Sequence, residues 1–552
     1  MLSRGATLHS ATPSRPRSNA GISVRHRPVL AIATMLLVFV AASGLPNSTV
    51  AHDPAVITGP YASLLAASRD LGPSHAGDAQ LTVTLPAARR PTSLIGWADT
   101  HRLAVRWRPG QQWAIVHGGA QDLAQAFDVP VHDYRGRMGQ VFYASSDQPA
   151  LPASLRGEIS AVGRILSYTP HRAARPELLP LDVPHQGLTP QTLLTTYNAT
   201  PLAAAGFTGK GATIVFFEFD GYDQRDLDSF AEMSGLPKFT PVLVGGDPGE
   251  AHGEAVMDLE VAHAIAPDAQ LVVINARPTV EGGGAHEKIG RMFDAADQQF
   301  PGAIWSLSIG WGCDALVNAA DLAPIRSALT NAHGHGTAAF DASGDTAGLE
   351  CKGGNDFSSP PGADDVGVDA VNSLPEMTSV GGTTLSTDLQ GRWMAEQAWT
   401  DVPMSQGSSG GASRLFARPQ YQRALSVGRD STHRLVPDIA AVADPFTGVR
   451  IVFEQQPRLG GGTSQAAPIW AALTVLMNQY AVAHGGTALG DLNPLLYQVA
   501  AGSRLPGFRD VTLGHSAVDV STPGYDLVTG LGTPNADNLA RDLLDAQQGS
   551  RS

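Results

Sequence analysis

Gly461-Gly462-Thr463-Ser464-Gln465-Ala466-Ala467-Pro468 runs directly into Ile469-Trp470-Ala471-Ala472-Leu473-Thr474-Val475-Leu476-Met477. Glycines let a backbone bend sharply and come close to a ligand. The apolar run reads as a buried helix, and Pro468 is tolerated only near its start. Ser464 then falls at a helix N-terminus, where unpaired N–H groups and the helix dipole favour negative charge. That environment suits a serine nucleophile. It equally suits a Gly-Thr-Ser cap on a core helix, so the partners of Ser464 must decide.

Outward from this stretch, strands and helices alternate. Residues 212–219 form the continuous apolar run expected of a parallel strand buried on both faces. Helices are expected over 226–234, 254–266, 286–299 and 320–332. Strands are expected over 270–275, 303–309, 336–342, 377–380 and 450–453. This alternation predicts an α/β architecture, a parallel sheet flanked by helices on both faces. Two short helices, 192–197 and 201–205, open it. A smaller α+β pattern precedes it: a strand at 113–117, a helix at 118–127, and hairpin strands at 131–134 and 140–144. A helix at 151–160 and a closing strand at 162–167 complete that pattern. Residues 52–90 read as a loose leader with one strand at 80–85. Residues 169–187 are rich in Pro and Arg without any period, the texture of an exposed linker where proteolysis concentrates.

The 552 residues allow two or three domains. A net charge of −14 argues against a nucleic-acid binder, which needs a basic surface. Two cysteines, Cys313 and Cys351, are too few for a disulfide scaffold but can form one bridge in an exported protein. Export is what the N-terminus predicts. Arg4, Arg15, Arg17, Arg25 and Arg27 precede an apolar run over 29–45, and Thr49-Val50-Ala51 offers small residues for cleavage. The competing reading is an uncleaved anchor, since the run is near the short end of a membrane span.

Two further sites carry carboxylates. Glu254 and Asp258 are four residues apart on one expected helix, so they share a face. A close, buried pair shares a proton, and one member's pKa rises. The alternative is a solvated acidic helix start. Ser343-Gly344-Asp345 follows the strand 336–342, and ligands of open α/β sheets bind beyond the carboxyl ends of strands. The alternative there is a solvated turn.

Taken in order, Glu-x-x-x-Asp on a helix, Ser-Gly-Asp after a strand, and Gly-Thr-Ser-x-x-x-Pro opening a helix resemble the sedolisin family of serine-carboxyl peptidases. The kumamolisin-like branch is the nearest in texture. Val380-Gly381-Gly382-Thr383-Thr384-Leu385, Ser409-Gly410-Gly411-Ala412-Ser413, Arg418-Pro419-Gln420-Tyr421-Gln422 and Val436-Pro437-Asp438-Ile439-Ala440-Ala441 add to the match. The resemblance implies a subtilisin-like fold with a signal peptide over 1–51 and an activation prodomain over 52–175. A processing linker would span 176–188 and the peptidase domain 189–546. It further implies Ser464 as nucleophile, Glu254 as general base, Asp258 as its orienting acid, and Asp345 as the oxyanion donor. A carboxyl donates a hydrogen bond only when protonated, so this set implies an acidic working pH. Glu218 resembles a family position that hydrogen-bonds the acid pair.

The same resemblance implies one Ca²⁺ per subunit. Its ligands would be the Asp510 and Asp526 carboxylates and the Val511, Thr522 and Gly524 carbonyls, with Asp519 as a possible addition. Hard cations take such oxygen sets. The implied protein is secreted, self-processing and monomeric. It acts on proteins or peptides, is inhibited by its own prodomain, and stays off membranes after signal cleavage. Two alternatives stay open: a subtilisin-type triad of Asp220, His252 and Ser464, and a catalytically silent, calcium-stabilised binding protein.

Overall fold

The computed structural model describes residues 55–170, 172–173, 178–180, 187–352, 361–402, 405–425 and 432–549. The expected signal peptide therefore lies outside the described residues, as do parts of the linker.

Residues 55–170 form an α+β unit with its own core. Ala104–Arg106, Trp113–Gly118, Ala79–Thr84 and Ala161–Val162 make a four-stranded antiparallel sheet in that order. Helices Thr92–Thr100 and Ala120–Phe127 close it, packing Leu94, Ala98, Leu123 and Phe127 on Leu81, Val83, Ala114 and Val116. The expected strand at 80–85 is present as Ala79–Thr84, but the residues before it are no loose leader: Pro60–Ala66 is a helix and Arg69–Pro73 a strand. Ala79–Thr84 is a central strand of this sheet. The helix Thr92–Thr100 buries only two side chains, too few to show a period in sequence. The expected helix at 151–160 is a single 3₁₀ turn, Ala153–Leu155. Leu155 and Ile159 are both buried at helical spacing, but Pro152 and Gly157 prevent a longer helix. The expected closing strand is split: Ala161–Val162 pairs with Val83 and Thr84, and Leu166 bridges antiparallel to Ala144.

The linker is not wholly without structure. Arg172–Ala173 pairs antiparallel with Gly310 and Ile309, and Leu179–Pro180 with Leu459 and Arg458. Residues this short and Pro-rich carry no periodic signal, because their pairing is supplied by the partner strand.

The larger part is built on one eight-stranded sheet. Its chain order is β1 (Thr213–Glu218), α1 (Gln224–Ser234), β2 (Val242–Val244), α2 (Glu254–Ile265), β3 (Gln270–Asn275), α3 (Ala285–Gln299), β4 (Ile304–Leu307), α4 (Ala323–Gly334), β5 (Ala338–Ala342), β6 (Thr378–Thr387), β7 (Trp393–Ala398), β8 (Ile439–Val442) and α5 (Thr463–Ala483). The spatial order is β2-β3-β1-β4-β5-β6-β7, with β8 parallel to β6 and only β7 antiparallel. Successive residues of β1 feed opposite cores. Ile214 and Phe216 join the cluster containing α2 and α5, while Val215 and Phe217 join the one containing α3 and α4. That alternation is why the strand reads as an unbroken apolar run. The expected strand at 450–453 is present, but Arg450–Phe453 pairs in an antiparallel hairpin with Gln456–Leu459 rather than joining the parallel sheet. β8 was not foreseen. Cys313 and Cys351 are joined in a disulfide.

α5 is long and apolar enough, by length and composition, to cross a membrane, yet 78% of its most apolar window is buried inside the protein. It is the central core helix. Pro468 lies in its second turn and takes the place of an N–H that would bond to the Ser464 carbonyl.

Candidate active site

The strand order reverses direction between β1 and β4: β3 and β2 lie to one side, β5 and β6 to the other. Such a switch point opens a crevice at the carboxyl ends of the strands. Glu218 ends β1, Ser308 directly follows β4, and Asp345 comes three residues after β5. The N-termini of α2 and α5 enter the same crevice with Glu254 and Ser464.

Ser464, Glu254, Asp258 and Glu218 are all buried, at 3%, 4%, 0% and 2% exposure. Neither Glu254 carboxylate oxygen has a hydrogen-bond partner of normal geometry. Burial pushes the Glu254 pKa well above the ordinary range, the charges of Glu218 and Asp220 add to the rise, and the nearby Ser464 hydroxyl opposes it. Burial likewise raises Asp258 and Glu218. The two carboxyls face one another, and the charge of Asp258 adds to the proton-holding tendency of the group. The group titrates as a unit, so its proton belongs to the cluster rather than to one residue.

Ser308 ties this cluster to the nucleophile's backbone. Its Oγ lies 2.7 Å from Asp258 Oδ2 and 3.2 Å from the Ser464 carbonyl oxygen. The Ser464 carbonyl is available because Pro468 has no N–H to give it. One hydroxyl has one hydrogen, so both contacts are fully satisfied only when Asp258 is protonated and donates to Ser308.

Asp345 approaches from the other side. Its Oδ1 accepts the Thr463 N–H and the Thr463 hydroxyl, each at 2.8 Å, and Gly344 N–H donates to that hydroxyl oxygen at 3.0 Å. Gly462 has φ +82°, and a Cβ there would lie 2.7 Å from Asp345 Oδ2. Only glycine permits both the turn and the close carboxyl.

The four residues expected to carry chemistry are thus gathered at one crevice. Sequence reasoning did not single out Ser308 or Thr463 for a role. Ser308 was placed at the carboxyl end of an expected strand, which was the available signal. Asp220 it weighed only for a histidine triad, and the geometry opposes that triad. The Asp220 carboxylate accepts the backbone N–H of His252 at 2.7 Å, and His252 is exposed. His333 bonds to the Thr337 and Glu376 carbonyls, and His335 to Asp297, at the C-terminal end of α4.

The loop expected to hold calcium is compact. Gly524 N–H donates to Asp510 Oδ2 at 2.9 Å, and Thr522 N–H to Asp526 Oδ2 at 3.1 Å, which draws both carboxylates onto the 522–526 turn. Asp526 Oδ1 also accepts Val528 and Thr529 N–H groups at 2.8 Å. Burial raises the Asp526 pKa to about 6. Among the described residues, no hydrogen bond reaches the Val511, Thr522 or Gly524 carbonyl oxygens. The donor set is all oxygen and fits a hard cation.

Comparison with known proteins agrees with this architecture. Kumamolisin from Bacillus sp. (strain MN-32) is 30% identical over 483 residues, covering 81% of this chain and 82% of kumamolisin. Tripeptidyl-peptidase 1 from Homo sapiens is 26% identical over 451 residues, covering 75% of each chain. No family model matches the chain. Pseudomonas sedolisin, a serine-carboxyl proteinase solved with two molecules of pseudo-iodotyrostatin, superposes with a TM-score of 0.54 at 23% identity, over 64% of this chain and 97% of that one. The likeness to that structure shows the subtilisin-like α/β fold. The chain therefore belongs to the sedolisin family, in its kumamolisin-like branch, and is a serine-type peptidase.

Proposed function

We propose that the protein is a secreted, acid-active endopeptidase made as a self-processing zymogen. The carrying observation is a buried Glu254 carboxylate, without a normal hydrogen-bond partner, beside Ser464 at two converging helix N-termini. Ser464 Oγ attacks the substrate carbonyl and Glu254 takes its proton. Asp258, held by Ser308 and facing Glu218, orients Glu254. Glu254 then gives that proton to the leaving amine as the peptide C–N bond breaks, and the acyl-enzyme is hydrolysed by water activated by the carboxylate so regenerated. Asp345, anchored through Oδ1 to Thr463, donates from Oδ2 to the developing oxyanion when that oxygen carries a proton. Catalysis thus needs one carboxyl ionised and its neighbours protonated, the condition met in acid.

The zymogen reading is supported by the pairing of Arg172–Ala173 with Ile309–Gly310, directly after Ser308. A strand laid there competes with an extended substrate for the same edge. Prodomain contacts hold it nearby: Arg106 Nη2 to Glu287 Oε2 at 2.8 Å, and Arg164 N–H to Asp321 Oδ1 at 2.9 Å. Cleavage is proposed within 173–189, after signal removal near residue 51, and the mature enzyme is proposed to be monomeric. A Ca²⁺ held by Asp510, Asp526 and the Val511, Thr522 and Gly524 carbonyls would brace the 510–533 loops and supply charge balance to Asp526. Chelation is then expected to lower the melting temperature, with no change expected in an Asp526→Asn variant already lacking the ion.

The test is incubation of the purified proenzyme at about pH 4, a value set by ordinary carboxyl pKa values. Wild type is expected to process itself and digest casein, and Ser464→Ala to do neither. Activity peaking at neutral pH would overturn the carboxyl mechanism.

A further inference from the structure

We infer that Asp220 is a positioning residue for the catalytic carboxyls, a clamp that fixes the helix turn on which Glu254 is carried. The inference rests on the proposed role of Glu254 as base.

Asp220 lies two residues past the end of β1 and is 4% exposed. Its carboxylate reaches across to the start of α2. Oδ2 accepts the His252 N–H at 2.7 Å and the Glu254 N–H at 3.3 Å, and Oδ1 accepts the Ala255 N–H at 3.1 Å. The helix has no cap of its own, since its N-cap residue is Gly253 at φ 103°. The first N–H groups of a helix need acceptors, and a distant carboxylate supplies them here. The two segments are also laced by Gly221 N–H to the Glu250 carbonyl at 3.2 Å. A Cβ at Gly221 would lie 2.1 Å from the Gly249 carbonyl, so the backbones are in direct contact. The strand end carrying Glu218 and the helix turn carrying Glu254 are thereby one rigid piece.

A clamp made of a carboxylate has a second effect. Its charge faces Glu218 on its own segment and Glu254 and Asp258 on α2, and it adds to the rise in pKa at all three. From the glycine turn, Asp345 acts on Glu254 in the same sense. From the entry loop, His252 offsets the charge of Asp220, whose own pKa burial raises. The hydroxyls of Ser308 and Ser464 complete the surroundings without adding charge. Removing the charge at 220 makes Glu254 available as a base at lower pH.

The experiment compares wild type, Asp220→Asn and Asp220→Ala by kcat, KM and the pH profile of kcat/KM, with thermal unfolding over the same pH range. Asp220→Asn is expected to move the acid limb of kcat/KM downward by about half a pH unit or more, the size of one nearby like charge. Asp220→Ala is expected to show that shift and also to lose kcat about tenfold or more, with little change in KM, because the base is misplaced. An unchanged acid limb in Asp220→Asn would overturn the inference, as would equal kcat in all three proteins. A merely structural residue would lower stability without moving the limb. If Glu254→Gln retained full activity, the proposed role of Glu254 would fail instead. The clamp would then be judged on unfolding alone, where Asp220→Ala melting no lower than wild type would refute it.

Discussion

Arg434 and Asp438 are as deeply buried as Glu254 and Asp258, yet both Asp438 oxygens are matched by donors. Oδ1 accepts Arg434 Nη1 and the Tyr497 hydroxyl, each at 2.7 Å. Oδ2 accepts Arg434 Nη2 at 2.5 Å and Ser379 N–H at 2.8 Å. This network locks β8 to the start of β6. At the crevice, by contrast, Glu218, Asp220, Glu254 and Asp258 come together, and among the described residues no Arg or Lys is hydrogen-bonded to any of them. Glu254 has no normal partner for either oxygen. A buried pair of opposite charges with complete hydrogen bonds is a device for specifying structure. A buried group of like charges is costly to keep and holds protons that chemistry can use. The same depth of burial thus serves two ends, decided by whether the charge is matched.

Substitutions can separate the two. The largest effect is expected at the unmatched site: Glu254→Gln should lower kcat/KM by about 10⁴-fold or more, comparable to losing a base in other serine peptidases. Its melting temperature should stay close to wild type or rise, because a costly carboxylate is gone. Asp438→Ala should do the reverse, destabilising the fold by about 3–5 kcal/mol by stranding the Arg434 charge. Denaturant unfolding measures it. Asp345→Ala should cost about 10²–10³-fold in kcat, the weight of one oxyanion donor. Stability should report the smallest difference.

The sign of that last effect follows from the raised carboxyls. Burial lifts Asp314 and Asp321 to about 6 and Asp369 to about 7, and Glu254, Asp258 and Glu218 rise as well. The folded chain therefore holds protons that the unfolded chain releases above about pH 4. Stability is fully present below that value and declines as pH rises toward about 7. Melting temperatures of the Ser464→Ala proenzyme, which is expected not to cleave itself, should be higher at pH 4.5 than at pH 7.5. An increase toward neutral pH would place the cost of these carboxyls elsewhere.

Much of this was legible in the chain because long elements repeat a pattern. β3 (Gln270–Asn275) matches its sequence reading residue for residue, and α2 to within one. Ser464, Glu254 and Asp345 were readable as motifs because each sits at or just past an element's end, and Asp258 because it lies one helical turn after Glu254. What was not legible depends on partners distant in sequence. Ser308 earns its place through Asp258 and through the carbonyl that Pro468 leaves open. Asp220 caps a helix that begins 34 residues later in the chain. Ala79–Thr84 is central only because Trp113–Gly118 and Ala161–Val162 flank it. Such roles are tertiary, and local pattern does not encode them.

The central claim is that a carboxylate, rather than a histidine, activates Ser464. The direct measurement is mass-spectrometric identification of the residue labelled by a fluorophosphonate at about pH 4, in wild type, Glu254→Gln and His252→Ala after removal of the prodomain. The account predicts label on Ser464 in wild type and His252→Ala, and its loss in Glu254→Gln. Label retained in Glu254→Gln and lost in His252→Ala would contradict it.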